Sequence, residues 1–349
     1  MFDFDLLMAR MWETRSSDML LTDGETPVIR TNGSLVRQGD EWLHSTDITE
    51  LLQKLLDGDS TWLQFKAGRE VDFSFSWQDK ARVRGNAYYQ RGKPAVSLRM
   101  LGFSIPGFDE LRVPRAVRDM AGIRQGLVFV TGPTGSGKST TLASMIDWVN
   151  RNKAVHILTI EDPVEYLHLN HQAVISQREV GLDTESFPAA LRNALREDPD
   201  VILVGEMRDL DSIRFALTLA ETGHLVLSTL HTNDTAQAID RLVDVFPGDQ
   251  QPQIRVQLSN ALTGVVYQRL IPRMDNRGLI PAHEVLVATS AIRNLIREGK
   301  TSQLRSQLQM TQREGSQTFE SSLSTLVREG LVDLATAQSF TPHPNEIAA

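Results

Sequence analysis

Residues Gly132-Pro133-Thr134-Gly135-Ser136-Gly137-Lys138-Ser139 match G-x-x-x-x-G-K-[ST] at every fixed position, after an apolar run and before the helical stretch Thr140 to Val149. That context identifies a phosphate-binding loop. Its glycines let the backbone curl so that successive N–H groups and the helix amino terminus face phosphate oxygens. Lys138 then brings a mobile positive charge to the β- and γ-phosphates, and Ser139 holds Mg²⁺ through its hydroxyl. Gly132, Thr134, Gly135, Ser136, Gly137 and Thr140 complete the expected nucleotide-binding set. A phosphate-binding loop alone does not separate a kinase from a GTPase or a motor.

Other strand ends narrow the choice. Glu206 closes the apolar run Val201 to Val204, where a second acidic element of such a site meets Mg²⁺ directly or through water. Glu161 ends a neighbouring run and can polarise an attacking water, a general-base role that needs only a carboxylate within one water of the γ-phosphate. His224 and His231 flank a further run seven residues apart. An extended segment of that length separates their backbones by roughly 23 Å, so they do not share one set of contacts. His231, at the carboxyl end, is the better reporter of the γ-phosphate. His224 acts at the other end of the strand or across a subunit contact and is counted with the nucleotide-binding candidates, with a structural role equally compatible. Arginines matter because phosphoryl transfer gains from a cation at the equatorial oxygens, often one donated by a neighbour. Arg84 and Arg99 are the candidates in the first hundred residues; Arg192, Arg196 and Arg208 lie near the nucleotide-binding elements.

These groups need a scaffold that gathers strand ends. From Gly126 onward, four short apolar runs alternate with helical segments: Gly126–Val130, His156–Ile160, Val201–Val204 and Leu225–Leu230. This is the pattern of a parallel sheet covered by helices, with ligands beyond the carboxyl ends of its strands. The chain from about Ile254 reads as mainly helical, and the tail from Thr341 to Ala349 as frayed. Upstream the pattern differs. Val71, Phe73, Phe75 and Trp77 alternate with polar residues, and after the turn Gln78-Asp79-Lys80 a second strand sets Val83 against Arg82 and Arg84. A third, Val96 to Met100, sets Arg99 against Val96, Leu98 and Met100, so the region reads as an antiparallel sheet with one arginine-bearing face. Gly102 through Val113-Pro114 is punctuated by glycine and proline. The expected organisation is therefore residues 1–102, a linker over 103–125, and a nucleotide-binding region over 126–349.

With 349 residues the chain can hold two domains. Lys and Arg number 36 against 44 Asp and Glu, a net charge of −8 that disfavours bulk phosphate-backbone binding, so no nucleic acid is expected as partner. The absence of cysteine excludes disulfides, thiol catalysis and cysteine-ligated metals. No apolar stretch approaches the ~20 residues of a membrane span, and acids follow Met1-Phe2 where a secretory signal carries positive charge. No membrane insertion is expected, and any membrane role is peripheral.

Several segments resemble secretion and type IV pilus ATPases. Thr159-Ile160-Glu161-Asp162-Pro163-Val164-Glu165 is similar to their Asp box, Asp198-Pro199-Asp200 through Asp209 to their Walker B region, and Thr222-Gly223-His224 through Thr232 to their His box. Ala291-Ile292-Arg293-Asn294-Leu295-Ile296-Arg297-Glu298 resembles the signature of the twitching-motility retraction ATPases, although its spacing equally suits an ordinary amphipathic helix. The resemblance implies an α/β fold: a RecA-like P-loop ATPase domain with a smaller amino-terminal α+β PAS-like domain. It also implies a homo-hexamer with ATP between lobes, Glu161 as general base, Glu206 organising Mg²⁺, and Arg84 and Arg99 reaching toward nucleotide. The expected partners are an inner-membrane pilus platform protein and a second retraction ATPase, in the cytoplasm, peripheral to the inner membrane. Lacking the longer amino terminus and four-cysteine element of assembly relatives, the chain reads as a retraction motor. Gly85, where the family usually carries an apolar residue, leaves room for an accessory, secretion or non-hydrolysing regulatory paralogue.

Overall fold

The computed structural model describes residues 3–31, 34–56, 59–78, 80–101, 105–275 and 278–348. Met1, Phe2, Asp79, Gly102, Ala349 and the first two residues of the expected linker lie outside them. The chain divides into two compact units, Met1–Ser104 with Glu165–Leu167, and Ile105–Val164 with His168–Ala349.

The first unit begins with α1 (Phe4–Glu13), whose first turn is capped by the Asp3 carboxylate accepting from Leu6 N. Strands β1 (Asp18–Thr22), β2 (Val28–Thr31) and β3 (Ser34–Arg37) lead to α2 (Ser45–Leu55) and α3 (Asp59–Lys66). Strands β4 (Val71–Trp77), β5 (Ala81–Gln90) and β6 (Lys93–Met100) follow. The six pair antiparallel in the order β3-β2-β1-β6-β5-β4. Met19, Leu21, Val83 and Leu98 project from the sheet into a core shared with Met8 and Met11 of α1 and Ile48 and Leu52 of α2. Alternation then forces Arg84 and Arg99 onto the other face, where register makes them cross-strand neighbours, both exposed. Gly85 has its own reason within this sheet. It pairs with Phe73, whose ring lies over it; a Cβ there would come within 2.2 Å of that ring.

The second unit is built on β7 (Gly126–Thr131), β8 (His156–Glu161), β9 (Val174–Glu179), β10 (Val201–Val204), β11 (Leu225–Leu230), β12 (Leu262–Pro272) and β13 (Leu279–Val287). Their order is β13-β12-β7-β11-β10-β8-β9, parallel except for β13 at one edge. Both faces are covered. Val128, Val130, Leu203 and Leu227 pack with α4 (Arg115–Gly122) and α5 (Lys138–Asn152). Their sequence neighbours Leu127, Phe129, Ile202 and Val226 pack on the opposite side. There they meet α6 (Phe187–Ala194), α7 (Leu210–Glu221), α8 (Thr235–Asp244), α9 (Gln251–Ala261), α10 (Ser290–Arg297) and α11 (Leu304–Met310). Double coverage is why these strands read as unbroken apolar runs.

Three expectations are corrected here. Residues 105–125 are not a linker: α4 sets Val117, Met120 and Ala121 at helical spacing into the core, and Phe108 and Val113 are buried beside them. The region after Ile254 holds more helix than strand, yet it also contains β12 and β13, the longest strand pair of the second sheet, which that reading did not place. Finally, the tail is anchored rather than frayed. α12 (Phe319–Arg328) and α13 (Leu334–Ser339) pack on β12 and β13; Thr341 Oγ1 then donates to buried Glu320, and Ala348 N to Ser324 Oγ at 2.9 Å.

Candidate active site

The loop between β7 and α5 adopts the geometry its glycines permit. Gly132, Gly135 and Gly137 have φ of +149°, +75° and +86°, in the region that side chains disfavour. Space is short as well: a Cβ at Gly132 would come within 2.2 Å of Gln268 O, and one at Gly137 within 2.8 Å of Gln268 Nε2. Gln268, buried on β12, braces the loop by donating from Nε2 to Ser136 O at 2.6 Å and accepting from Thr141 Oγ1 at 2.6 Å. Ser136 Oγ is buried without a hydrogen-bond partner. Lys138 is buried, and its ammonium donates to Gly132 O at 2.9 Å and Pro133 O at 3.0 Å. This cradle of curled backbone, orphan hydroxyl, cation and amino end of a 15-residue helix fits a phosphate chain. Ser139 and Thr140 sit half-buried in the first turn of α5. Among the described residues no cluster of three or more acidic or histidine side chains could hold a metal by itself. Ser139 and Glu206 would therefore hold Mg²⁺ only together with other ligands such as phosphate and water.

Parallel pairing puts the carboxyl ends of β7, β11, β10 and β8 side by side, so the loop, His231, Glu206 and Glu161 occur in that order along one sheet edge. Hydrogen bonds stitch this edge together. Thr131 Oγ1 donates to Leu230 O at 3.1 Å and accepts from Thr232 N at 2.9 Å; Thr229 Oγ1 donates to Gly205 O at 2.5 Å. His231 bridges the loop and the acidic strand: its Nδ1 lies 3.5 Å from Lys138 Nζ and its Nε2 3.5 Å from Glu206 Oε1. An ammonium only donates and a carboxylate only accepts, so this arrangement calls for the neutral ring with its proton on Nε2. Burial, then the charges of Lys138 and Arg208, hold the His231 pKa below the ordinary histidine value against the opposing pull of Glu206. Arg208 Nε donates to the same Glu206 oxygen at 2.5 Å. Thr134, Glu206, Arg208, His231 and Arg241 of α8 line a cleft of about 360 Å³ beside the loop.

Glu161 stands at the same sheet edge, fixed by Thr159 Oγ1 donating at 2.8 Å and Gln177 Nε2 at 3.3 Å. Three strand spacings, about 14 Å, separate the backbone of β8 from that of β7. Two strands intervene between β8 and the loop strand, and Gln177, which holds the Glu161 carboxylate, comes from β9 on the other side of β8.

Not every candidate joins this edge. His224 lies at the opposite end of β11, where its Nδ1 meets Leu219 O at 2.9 Å in the turn after α7. Arg84 and Arg99 belong to the first unit, and Arg99 Nε donates to Asp18 Oδ1 at 2.7 Å. Arg192 lies over the Phe215 ring and, like Arg196, is outside the cleft lining. In the segment Ala291 to Glu298, Ile292 and Ile296 are buried, while Arg293 donates to Ala288 O, Ser259 O and Asn260 O, tying down the last turn of α9. Arg297 is exposed. Sequence reasoning missed Gln268 and Arg241, and gave Thr131 and Thr232 no role of their own. Gln268 carried no clear signal, since it sits beside Arg269 in a stretch that also holds Thr263.

Comparison with known proteins agrees with this geometry. The family described as Type II/IV secretion system protein matches residues 96–339. The chain is 44% identical to the type IV pilus retractation ATPase PilT of Pseudomonas aeruginosa, over 98% of this chain and 99% of that protein. It is 36% identical to the type IV pilus ATPase PilU of the same organism, over 99% and 90% respectively. Superposition on the crystal structure of the pilus retraction motor PilT with bound ADP gives a TM-score of 0.91 at 44% identity, covering 99% of both chains. The chain belongs to the type II/IV secretion system protein family.

Proposed function

We propose that this protein is an ATP-hydrolysing motor that powers type IV pilus retraction, working as a homo-hexamer on the cytoplasmic side of the inner membrane. The observation that carries the reading is the chain of contacts from Lys138 through His231 to Glu206, which joins the phosphate-binding loop to the acidic strand. In this reading the loop amides and Lys138 hold the β- and γ-phosphates. Ser139 and Glu206 organise Mg²⁺, which when bound neutralises charge on the phosphate oxygens. Glu161 takes the proton of the attacking water. His231, kept neutral, senses whether Lys138 is engaged by phosphate or by its own loop, and passes that difference to Glu206. Arg84 and Arg99, on an exposed sheet face, supply cations to the nucleotide, and His224 contacts it across a subunit boundary. Loss of the γ-phosphate releases these contacts and lets the subunits shift. An inner-membrane platform protein receives that motion, alongside a second retraction ATPase. Phosphate release by purified protein tests the chemistry: Lys138→Ala and Glu206→Ala must each lose turnover while remaining folded, and parental turnover in either refutes the site. Deletion of the gene tests the machine, with long, non-retracting pili under fluorescence expected; normal retraction refutes the motor role.

A further inference from the structure

A groove of about 580 Å³ opens in the first unit between α1, the entry to β2 and the segment leading into α2, within the size range of ligand-binding clefts. Its floor includes buried Leu43, and its rim carries Leu6 and Trp42, 65% and 64% exposed. Large apolar side chains left in water around one concavity mark a contact surface.

Gln38 adds a more specific signal. It is 5% exposed and lines the groove; Nε2 donates to Val36 O at 3.0 Å, whereas Oε1 is buried without a hydrogen-bond partner. A buried acceptor in this position calls for an N–H group from outside. The charge around it selects the kind of donor. Asp3, Asp40, Glu41 and Asp47 line the groove against Arg10 and His44. Asp3 and Asp47 already accept backbone N–H groups from Leu6 and His44, yet the wall keeps an excess of negative charge. Such a wall repels phosphates, nucleic acid and anionic lipid and attracts a cation. The Trp42 indole suits the same occupant, because its face attracts ammonium and guanidinium groups.

We propose that this groove docks a lysine- or arginine-bearing peptide segment of a partner protein, with an apolar side chain packed on Leu6 and Trp42 and its cationic head donating to Gln38 Oε1. Guanidinium fits best, since its several N–H groups can serve Gln38 and a carboxylate together. The site is independent of the nucleotide chemistry.

The test uses the full-length chain and a fluorescein-labelled amphipathic peptide of leucine and arginine, followed by anisotropy at about 0.15 M ionic strength. Saturable binding is expected, and a control peptide with glutamate replacing arginine should not bind. Asp40→Lys, Trp42→Ala and Gln38→Leu should each weaken affinity by about tenfold or more. Glu185→Lys makes the charge change of Asp40→Lys on an exposed residue of the other unit, and should leave affinity unaltered. Thermal melts of each variant separate lost binding from lost folding. Absence of saturable binding, equal binding of the glutamate peptide, or equal weakening by Glu185→Lys overturns the proposal. Unchanged affinity in any one of the three groove variants overturns it too.

Discussion

In the antiparallel sheet of the first unit the arginines stand on a face; in the parallel sheet of the second the functional groups stand at an edge. The reason lies in coverage. The first sheet packs helices on one side only, so alternation leaves Arg84 and Arg99 on the other, within reach of something outside the sheet. Helices cover both sides of the second sheet, so neither face is open to a ligand from outside. Its chemistry therefore gathers where the strands stop, at Lys138, His231, Glu206 and Glu161. Chemistry at an edge depends on several strand ends held in mutual register, so loss of one group there should cost turnover heavily, whereas loss of a group on an open face should cost less.

The strongest break in that comparison is Lys138→Ala. We expect turnover to fall roughly a hundred- to a thousandfold, as when a principal charge-stabilising donor is removed, with the melting temperature little changed; a phosphate-release assay beside a thermal melt checks both. Next comes Gly85→Val, which drives a side chain into the Phe73 ring and should destabilise the first unit by about 2 kcal/mol. Four of the five tryptophans fall in the first eighty residues, so denaturation followed by intrinsic fluorescence reads this unit. Rescue by a second change, Phe73→Ala, would locate the strain at that pair.

Acid should strike the second unit. Burial lowers His168 and His283 from 6.5 to about 4. Between those values the unfolded chain binds protons that the folded chain refuses. Stability is thus fully present above pH 6.5 and lost as pH falls toward about 4, by about 2 kcal/mol for each histidine at pH 5. Urea titrations at pH 7 and pH 5 should show the loss, and His283→Leu should flatten it. The smallest expected effect is Arg99→Ala. Its ion pair with Asp18 is largely solvated on the arginine side, so stability should move by less than about 1 kcal/mol. A fall in turnover without that loss would sharpen the contrast between face and edge.

Local signals were legible wherever a residue's neighbours in sequence impose the physics. The phosphate-binding loop was so, because glycine spacing and a following helix suffice; β10 and β11 matched their apolar runs to the residue. Hidden features depend on distant partners. Residues 105–125 looked like a linker because glycine and proline punctuate them, yet α4 is buried against α5 and against β12 and β13, the two strands lying more than a hundred residues away. β12 and β13 themselves were missed, since strands buried on both faces show no alternation to separate them from buried helix. The purpose of Gln268 likewise emerges only when β12 lies beside the loop.

By itself the sequence determined which groups could meet phosphate, metal and water, because side-chain type and short spacing set chemistry and local backbone freedom. Tertiary structure alone decided that β11 and β10 intervene between the loop strand and the strand of Glu161. It thereby placed His231 between Lys138 and Glu206. Strand order arises from non-local burial and hydrogen bonding, and no local pattern encodes it.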